Sequence, residues 1–142
     1  MDMNEHQKTV RQKLESVHRL NQKVKAKMQQ VEELRNLAVS INTNLSDMPG
    51  NPNRNIHKME DTVIKICDIQ EEAADYVLQF LDAWKEVRNC IEQVPDSKAQ
   101  YILECRYLSF EDWEDIAAEL GYTVRNVQRI VHEAIDQITI AG

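Results

Sequence analysis

The sequence predicts an all-α protein, in which two long heptad-patterned helices precede a three-helix head. Apolar residues recur at alternating intervals of three and four along two long stretches, as they do on one face of a helix. Only three glycines and three prolines interrupt the 142 residues, and no segment shows the alternation of a half-buried strand. We therefore expect a helical arm over residues 1–94 and a compact head over residues 95–142.

The net charge of −7 is unevenly distributed along the chain. Residues 1–35 hold eight basic and five acidic side chains, whereas residues 36–100 and residues 101–142 each carry a charge of −5. Nucleic acid normally meets a basic surface, because phosphate contacts come from lysine and arginine. The acidic total argues against DNA binding, and the basic first segment is the part suited to phosphate contacts.

Composition also limits cofactors and location. The cysteines, at positions 67, 90 and 105, lack neighbouring ligands at metal-binding intervals, so we interpret them as reduced thiols and expect neither metal nor cofactor. No apolar run approaches the roughly 20 residues that span a bilayer, and the N-terminus is polar. We expect a cytoplasmic protein of a bacterial host cell without membrane contact.

The first heptad pattern predicts a long helix that includes residues 10–38. Its apolar row, with polar interruptions, is Val10, Leu14, Val17, Asn21, Val24, Met28, Val31, Arg35 and Ala38. An asparagine inside a two-stranded coiled coil fixes the register of the pair. At the edge of a bundle the same Asn21 has no special role, and the pattern leaves both interpretations open.

A loop is predicted near residues 44–57, where Pro49 and Pro52 remove amide donors and disfavour helix before them. Arg54 and Lys58, by this proline loop, either contact DNA or a partner, or are simply solvated. The second pattern starts at position 59 and predicts one helix. Its row is Met59, Val63, Ile66, Gln70, Ala73, Val77, Phe80, Trp84, Val87, Ile91 and Val94. The two helices can pair as a hairpin, or as coiled coils in a homodimer or higher homo-oligomer.

Helix-boundary signals divide the head into three further helices. The pair at 96–97, Asp-Ser, can cap the first of them. Ser109 followed by Asp112 has the spacing of a capping box, which predicts that the next helix begins there. Gly121 can adopt the left-handed conformation that ends a helix, and Thr123 can cap the last one.

The last two helices are predicted to meet as a helix-turn-helix. Small Ala117 allows close approach, Gly121 provides the turn, and apolar residues on both sides lock the crossing. Any two-helix corner shares some of these requirements. The last helix, about residues 124–138, would enter the major groove, because arginine pairs with guanine and asparagine or glutamine with adenine. The candidate DNA-binding residues are Thr123, Val124, Arg125, Asn126, Gln128, Arg129 and His132.

Residues 103–135 resemble the fourth conserved region of bacterial sigma factors, which recognises the −35 promoter element. The resemblance is carried by the segment Ser109-Phe-Glu-Asp-Trp-Glu-Asp-Ile-Ala-Ala-Glu-Leu-Gly-Tyr-Thr-Val-Arg-Asn-Val-Gln-Arg and its flanks. It implies that Arg125, Gln128 and Arg129 read bases and that Thr123 caps the recognition helix. Val124 stands where arginine is common in that family.

Residues 34–94 are similar to small phage and prophage proteins of Gram-positive bacteria that join a helical half to a sigma-like head. The matching segments are Leu34-Arg-Asn-Leu-Ala, Pro49-Gly-Asn-Pro-Asn-Arg and His57-Lys-Met-Glu-Asp-Thr-Val. Late-transcription activators of the RinA and ArpU type share the sigma-like end. The resemblance implies control of phage gene expression.

Two functions from different classes remain. The first is a sequence-specific DNA-binding transcription regulator of phage or prophage genes, whose partners are double-stranded DNA and, in one version, host RNA polymerase. The second is a helical interaction or assembly adaptor with a degenerate helix-turn-helix. We do not expect an enzyme, because the sequence has no phosphate-binding loop, no Ser-His-Asp order and no H-E-x-x-H motif.

Overall fold

The chain is described by a computed structural model over residues 4–45 and 52–140, without the side chains of residues 42–45, 52, 53 and 55. These residues form five helices and no strand: α1 Glu5–Leu45, α2 Pro52–Glu92, α3 Ser97–Tyr107, α4 Trp113–Leu120 and α5 Val124–Ile135. The predicted all-α class with two long helices first is confirmed. Across the described residues, no helix combines the length and apolarity needed to cross a bilayer.

Both long helices extend further than the sequence predicted. Each has 41 residues, and the loop predicted near 44–57 is wrong at both ends, because α1 reaches Leu45 and α2 starts at Pro52. Proline suits the first position of a helix, where its missing amide hydrogen would have no helical partner and its fixed φ fits the helix. Pro49 lies outside the described residues.

The chain forms two compact units, one of residues 21–79 and the other of the remaining N-terminal and C-terminal segments. The second unit, here called the terminal unit, combines residues up to Leu20 with residues from Phe80 onward. Its core joins both long helices to the three short ones: Val10, Leu14, Val17, Val87, Ile91, Val94, Ile102, Leu103, Ile116, Val127, Val131 and Ile135 are each at most 1 % exposed. The predicted head of residues 95–142 therefore shares its core with segments outside it.

Polar contacts also connect the helices of the terminal unit. Lys13 of α1 forms an ion pair with Glu86 of α2. Thr139, beyond α5, forms two hydrogen bonds with the side chain of Gln93. The side-chain amide of Gln93 donates to the Thr139 carbonyl at 2.9 Å, and the Thr139 N–H donates to Gln93 Oε1 at 2.8 Å. Thr139 is thus held beside the end of α2.

The unit of residues 21–79 is here called the hairpin unit. In it, the C-terminal part of α1 pairs in antiparallel with the N-terminal part of α2. Lys27 Nζ lies 2.8 Å from Glu72 Oε2, and Lys23 Nζ lies 5.2 Å from the centre of the Tyr76 ring. The numbers rise along one helix as they fall along the other, which defines an antiparallel pair. In this unit the two long helices pair within one chain. The Glu72 carboxylate raises the pKa of Lys27, mainly through their hydrogen bond.

The buried row of α2 in the hairpin unit differs from the predicted row at every second position. Thr62, Ile66, Ile69, Ala73 and Tyr76 are buried or half-buried, whereas the predicted Val63, Gln70 and Val77 are exposed. In α1, the predicted Met28 and Arg35 are likewise exposed, and Lys27 and Leu34 are half-buried instead. The α2 helix carries two apolar rows that share Ile66 and Ala73, and a helical period alone does not decide which row packs.

The ends of α3 and α4 show one correct and one wrong capping prediction. Asp96 caps α3, because its carboxylate accepts from the Ala99 N–H at 3.1 Å. The helix predicted to begin near Ser109 instead begins at Trp113, with Asp112 at the N-cap and no side-chain cap bond. Ser109 ends α3 rather than starting α4, because its N–H donates to the Glu104 carbonyl at 3.0 Å.

Gly121 ends α4 as predicted. Its φ of +71° is in the left-handed region, and its N–H is directed at the carbonyls at the end of α4. The next amide, of Tyr122, donates to the Ala117 carbonyl at 2.9 Å. The last helix, predicted over about 124–138, stops at Ile135, although Ile138 is still buried at 1 % exposure. After Ile135 the chain turns through hydrogen bonds that span three residues instead of four. The Gln137 N–H donates to the Ala134 carbonyl, and the Ile138 N–H donates to the Ile135 carbonyl.

The three cysteines are free thiols with different accessibility, which predicts different reactivity. Cys67 is exposed, whereas Cys90 and Cys105 are 7 % and 8 % exposed. Burial, followed by a hydrogen bond with Glu111, raises the pKa of the Cys105 thiol to about 11. At neutral pH we expect one fast and two slow thiols in a colorimetric thiol titration, because the thiolate is the reactive form. Cys67→Ser should remove the fast phase. A fast phase that remains in this variant would contradict the burial of Cys90 and Cys105.

The same shift has a consequence for stability at alkaline pH. A raised pKa means that the fold favours the neutral thiol of Cys105. Its contribution is therefore complete below the ordinary value of 9.0 and is lost as the pH rises through about 11.

Candidate nucleic-acid interface

The start of α5 is fixed by its cap and by the turn that precedes it. The hydroxyl of Thr123 accepts from the Asn126 N–H at 3.1 Å, which satisfies one of the amides left without a helical partner. The Gly121 turn lies two residues earlier. The first turn of α5 is therefore held in one orientation by backbone geometry.

One side of α5 is anchored in the core of the terminal unit. Val127, Val131, Ala134 and Ile135 are between 0 % and 3 % exposed. Their spacing of four, three and one places them on a single side of the helix. Burying such side chains contributes about 1.5–3 kcal/mol for each valine or isoleucine, so α5 cannot rotate without a large loss.

The solvent-facing part of α5 carries the predicted base-reading side chains. Arg125, Gln128 and Arg129 are exposed, as is the capping residue Thr123. Arginine and glutamine side chains can form paired hydrogen bonds with base edges in the major groove. The early outward face of α5 thus presents three suitable side chains to solvent.

Arg129 is already engaged by neighbours on its own helix. Asn126 Oδ1 accepts from Arg129 Nη2 at 2.8 Å and from Nε at 3.3 Å, and Arg129 Nη1 lies 3.0 Å from Glu133 Oε1. An exposed ion pair of this kind contributes only about 0–1 kcal/mol. A phosphate or a guanine can therefore replace the Glu133 contact at little cost.

The other predicted residues lie partly against the protein. Val124 packs on the core, and Asn126 and His132 are half-buried. His132 Nδ1 is buried without a hydrogen-bond partner among the described residues. The structure thus brings Thr123, Arg125, Gln128 and Arg129 together on the exposed face and places the other three closer to the core.

Gln7 is a positioning residue that the sequence did not indicate. It is 1 % exposed, and its side-chain amide donates to the His132 carbonyl at 2.9 Å and to Asp136 Oδ1 at 2.6 Å. The start of α1 therefore holds the second half of α5. Gln7 lies three residues before Val10, so extending the apolar row of α1 by one step would have found it.

The exposed side of α4 is acidic. Glu114, Asp115 and Glu119 are all exposed, and Glu119 Oε1 accepts from the hydroxyl of Tyr101 at 2.5 Å. This hydrogen bond raises the pKa of Tyr101. Carboxylates repel phosphate, so this surface is suited to a basic partner rather than to a nucleic-acid backbone.

No protein-family model matches the chain, and no curated protein and no solved structure is significantly similar to it. The resemblance to sigma factors and phage regulators therefore stays a prediction. Within the described residues, no three acidic, histidine or cysteine side chains converge as metal ligands.

Proposed function

We propose that this chain is a DNA-binding transcription regulator, in which α4 and α5 act as a helix-turn-helix and α5 enters the major groove. The observation that carries the proposal is the two-sidedness of α5: Val127 and Ile135 anchor one side, while Arg125, Gln128 and Arg129 occupy the exposed other side. A solvated helix face would more often alternate glutamate with lysine. Here two arginines and a glutamine follow the cap within two turns.

Phosphate contacts would come from α1, because the head itself is acidic. The terminal unit includes the start of α1, where Lys8 and Arg19 are exposed and Arg11 is half-buried. Gln7 joins this segment to α5. Basic side chains on the segment that holds the recognition helix would offset the repulsion between DNA and the acidic residues of α4.

More particularly, the chain would regulate phage or prophage genes. Its α5 would bind a promoter element as the fourth region of sigma factors does. The support is the resemblance of residues 103–135, together with the cap at Thr123 and the turn at Gly121. Contact with host RNA polymerase would use the exposed carboxylates of α4, since these attract a basic protein surface and repel the phosphates of DNA.

Arg125→Ala and Arg129→Ala test the proposal directly. Each is expected to weaken binding to the preferred duplex by about 1–3 kcal/mol, because each would remove a paired contact to a base. The preferred site is first obtained by selection from random duplexes and from DNA upstream of the gene. Affinity is then measured by fluorescence anisotropy at several salt concentrations.

Arg88→Ala is the matched control. Arg88 is an exposed arginine on α2 that pairs with Glu92 four residues later, at 3.3 Å, as Arg129 pairs with Glu133. Its loss changes the charge equally and should leave affinity for the preferred duplex nearly unchanged. Equal affinity of the wild type and the Arg125/Arg129 double variant would refute major-groove reading by α5.

The acidic surface of α4 favours a second candidate, an adaptor whose head binds proteins. In that case the selection would enrich no duplex and binding would lack salt dependence. Co-purification with polymerase or with a phage assembly protein, abolished by Glu114→Lys, would then support the adaptor.

A further inference from the structure

On α2, the hairpin unit leaves a row of residues exposed to solvent, with large apolar side chains at both ends. Val63, Ile64, Val77 and Leu78 are 47 %, 58 %, 38 % and 63 % exposed. Cys67, Gln70, Glu71 and Ala74 lie between them and are also exposed. This exposed row of residues 63–78 is defined by positions that follow the buried row by one or two residues, so it does not serve the pairing of α2 with α1.

The order of side-chain sizes in the exposed row is the same in both directions. Two large apolar residues occur at each end, one small residue lies inside each pair, and two polar residues occupy the middle. The members in order are Val63, Ile64, Cys67, Gln70, Glu71, Ala74, Val77 and Leu78. The centre of this symmetry lies between Gln70 and Glu71.

Such symmetry is what a two-fold contact between identical helices requires, because an isologous interface places one surface against itself. We propose that the exposed row binds the same row of a second copy of this chain in antiparallel, with the two-fold axis between Gln70 and Glu71. In this register Val63 faces Leu78 of the second copy, and Ile64 faces Val77.

The centre of the proposed contact suits close approach. Cys67 faces Ala74 of the second copy, and two small residues at a helix crossing let the backbones come near each other. At the axis, the amide of Gln70 can donate to the Glu71 carboxylate of the second copy. That carboxylate is the single charge in each row, and the pairing gives it a donor.

The size of the contact predicts a weak dimer. Sixteen residues of helix extend about 24 Å at ~1.5 Å per residue. One helix-on-helix contact of that length falls near or below the lower limit of specific interfaces, about 1,200 Å² of total buried area. We expect a dissociation constant on the order of 1–100 µM, which corresponds to roughly 5–8 kcal/mol. The proposal does not rest on DNA binding.

Sedimentation equilibrium of the full chain from about 1 µM to several hundred µM measures the expected affinity range. The wild type should change from monomer to dimer as its concentration rises through this range. Leu78→Glu should remain a monomer at every concentration, because it would place a charge against Val63 of the second copy. Leu37→Glu is the matched control: Leu37 is a leucine of α1, 49 % exposed and outside the exposed row, so this variant should dimerise like the wild type.

Disulfide trapping then tests the register. In the antiparallel register the two wild-type Cys67 residues are about 10 Å apart along the axis, since seven residues at ~1.5 Å each separate their levels. That exceeds the roughly 7 Å between Cα atoms that a disulfide tolerates. Ala74→Cys places a second thiol opposite Cys67 of the other copy, and mild oxidation should give a covalent dimer.

The same Ala74→Cys change made together with Cys67→Ser should give no covalent dimer. Circular dichroism should show native helix content for every variant, because the changed side chains are exposed. The proposal is overturned by a wild type that stays monomeric at all concentrations. It is equally overturned if Leu37→Glu and Leu78→Glu weaken the dimer alike, or if wild-type Cys67 crosslinks as readily as the Ala74→Cys variant.

Discussion

Leu14→Ala is expected to lower the free energy of unfolding of the terminal unit by about 2–5 kcal/mol, the range measured for leucines truncated in packed cores. Leu14 is 0 % exposed in the first helix and belongs to the core that also holds Ile102 and Ile135. Removing its side chain loses the burial and leaves a cavity between α1 and the short helices. Urea unfolding followed by circular dichroism measures the change.

Leu37→Ala provides the control on the same helix. Leu37 is 49 % exposed, so its truncation should change stability by less than about 0.5 kcal/mol, as at ordinary surface positions. A Leu14→Ala chain that unfolds at the same urea concentration as Leu37→Ala would show that α1 does not belong to the core of the terminal unit. If the DNA proposal holds, folded Leu14→Ala protein should still bind the preferred duplex, since Arg125 and Arg129 are untouched.

Residues 95–142 expressed alone are expected to lose cooperative unfolding. Six core side chains that are at most 1 % exposed lie before residue 95, five in the long helices and one just after α2: Val10, Leu14, Val17, Val87, Ile91 and Val94. At roughly 1.5–3 kcal/mol for each buried side chain, their removal exceeds the stability of many small domains, about 5–15 kcal/mol. Thermal scans should show a broad, shallow change, and amide hydrogens of α5 should exchange rapidly.

A shortened chain that joins Leu20 to Phe80 through a glycine-rich turn is the control for the isolated fragment. It keeps all six of those side chains and removes only the hairpin unit. It should unfold cooperatively and protect α5 from exchange. A fragment of residues 95–142 that melts as sharply as the shortened chain would mean that the three short helices need no support from α1 and α2.

Local signals in the sequence predicted the elements well where short-range chemistry determines them. The caps at Asp96 and Thr123 and the left-handed turn at Gly121 are each fixed by a few neighbouring residues, and each occurs as predicted. The capping box at Ser109 failed because Ser109 also closes α3 through Glu104, so two overlapping signals competed for one residue.

The exposed face of α5 was partly predictable for a related reason. A helical period separates Val127 and Val131 from Arg125 and Arg129 without any tertiary information. The contact of Gln7 with His132 and Asp136 was not predictable in this way, because 125 and 129 residues separate the partners in the chain. Contacts of that kind depend on how the chain folds back and brings α5 against α1.

The sequence by itself determined that the chain is helical, where α3 and α5 begin, where α4 ends, and which side of α5 is apolar, because propensity, caps and periodicity act over a few residues. Only the tertiary structure decided which of two overlapping rows of α2 packs against α1. Tyr76 and Val77 both continue the row from Ala73 at a helical interval, and contact with the partner helix decides that Tyr76 is half-buried while Val77 stays exposed. It also decided that the start of α1 completes the core beneath α5, since only folding brings Leu14 and Ile135 into one cluster.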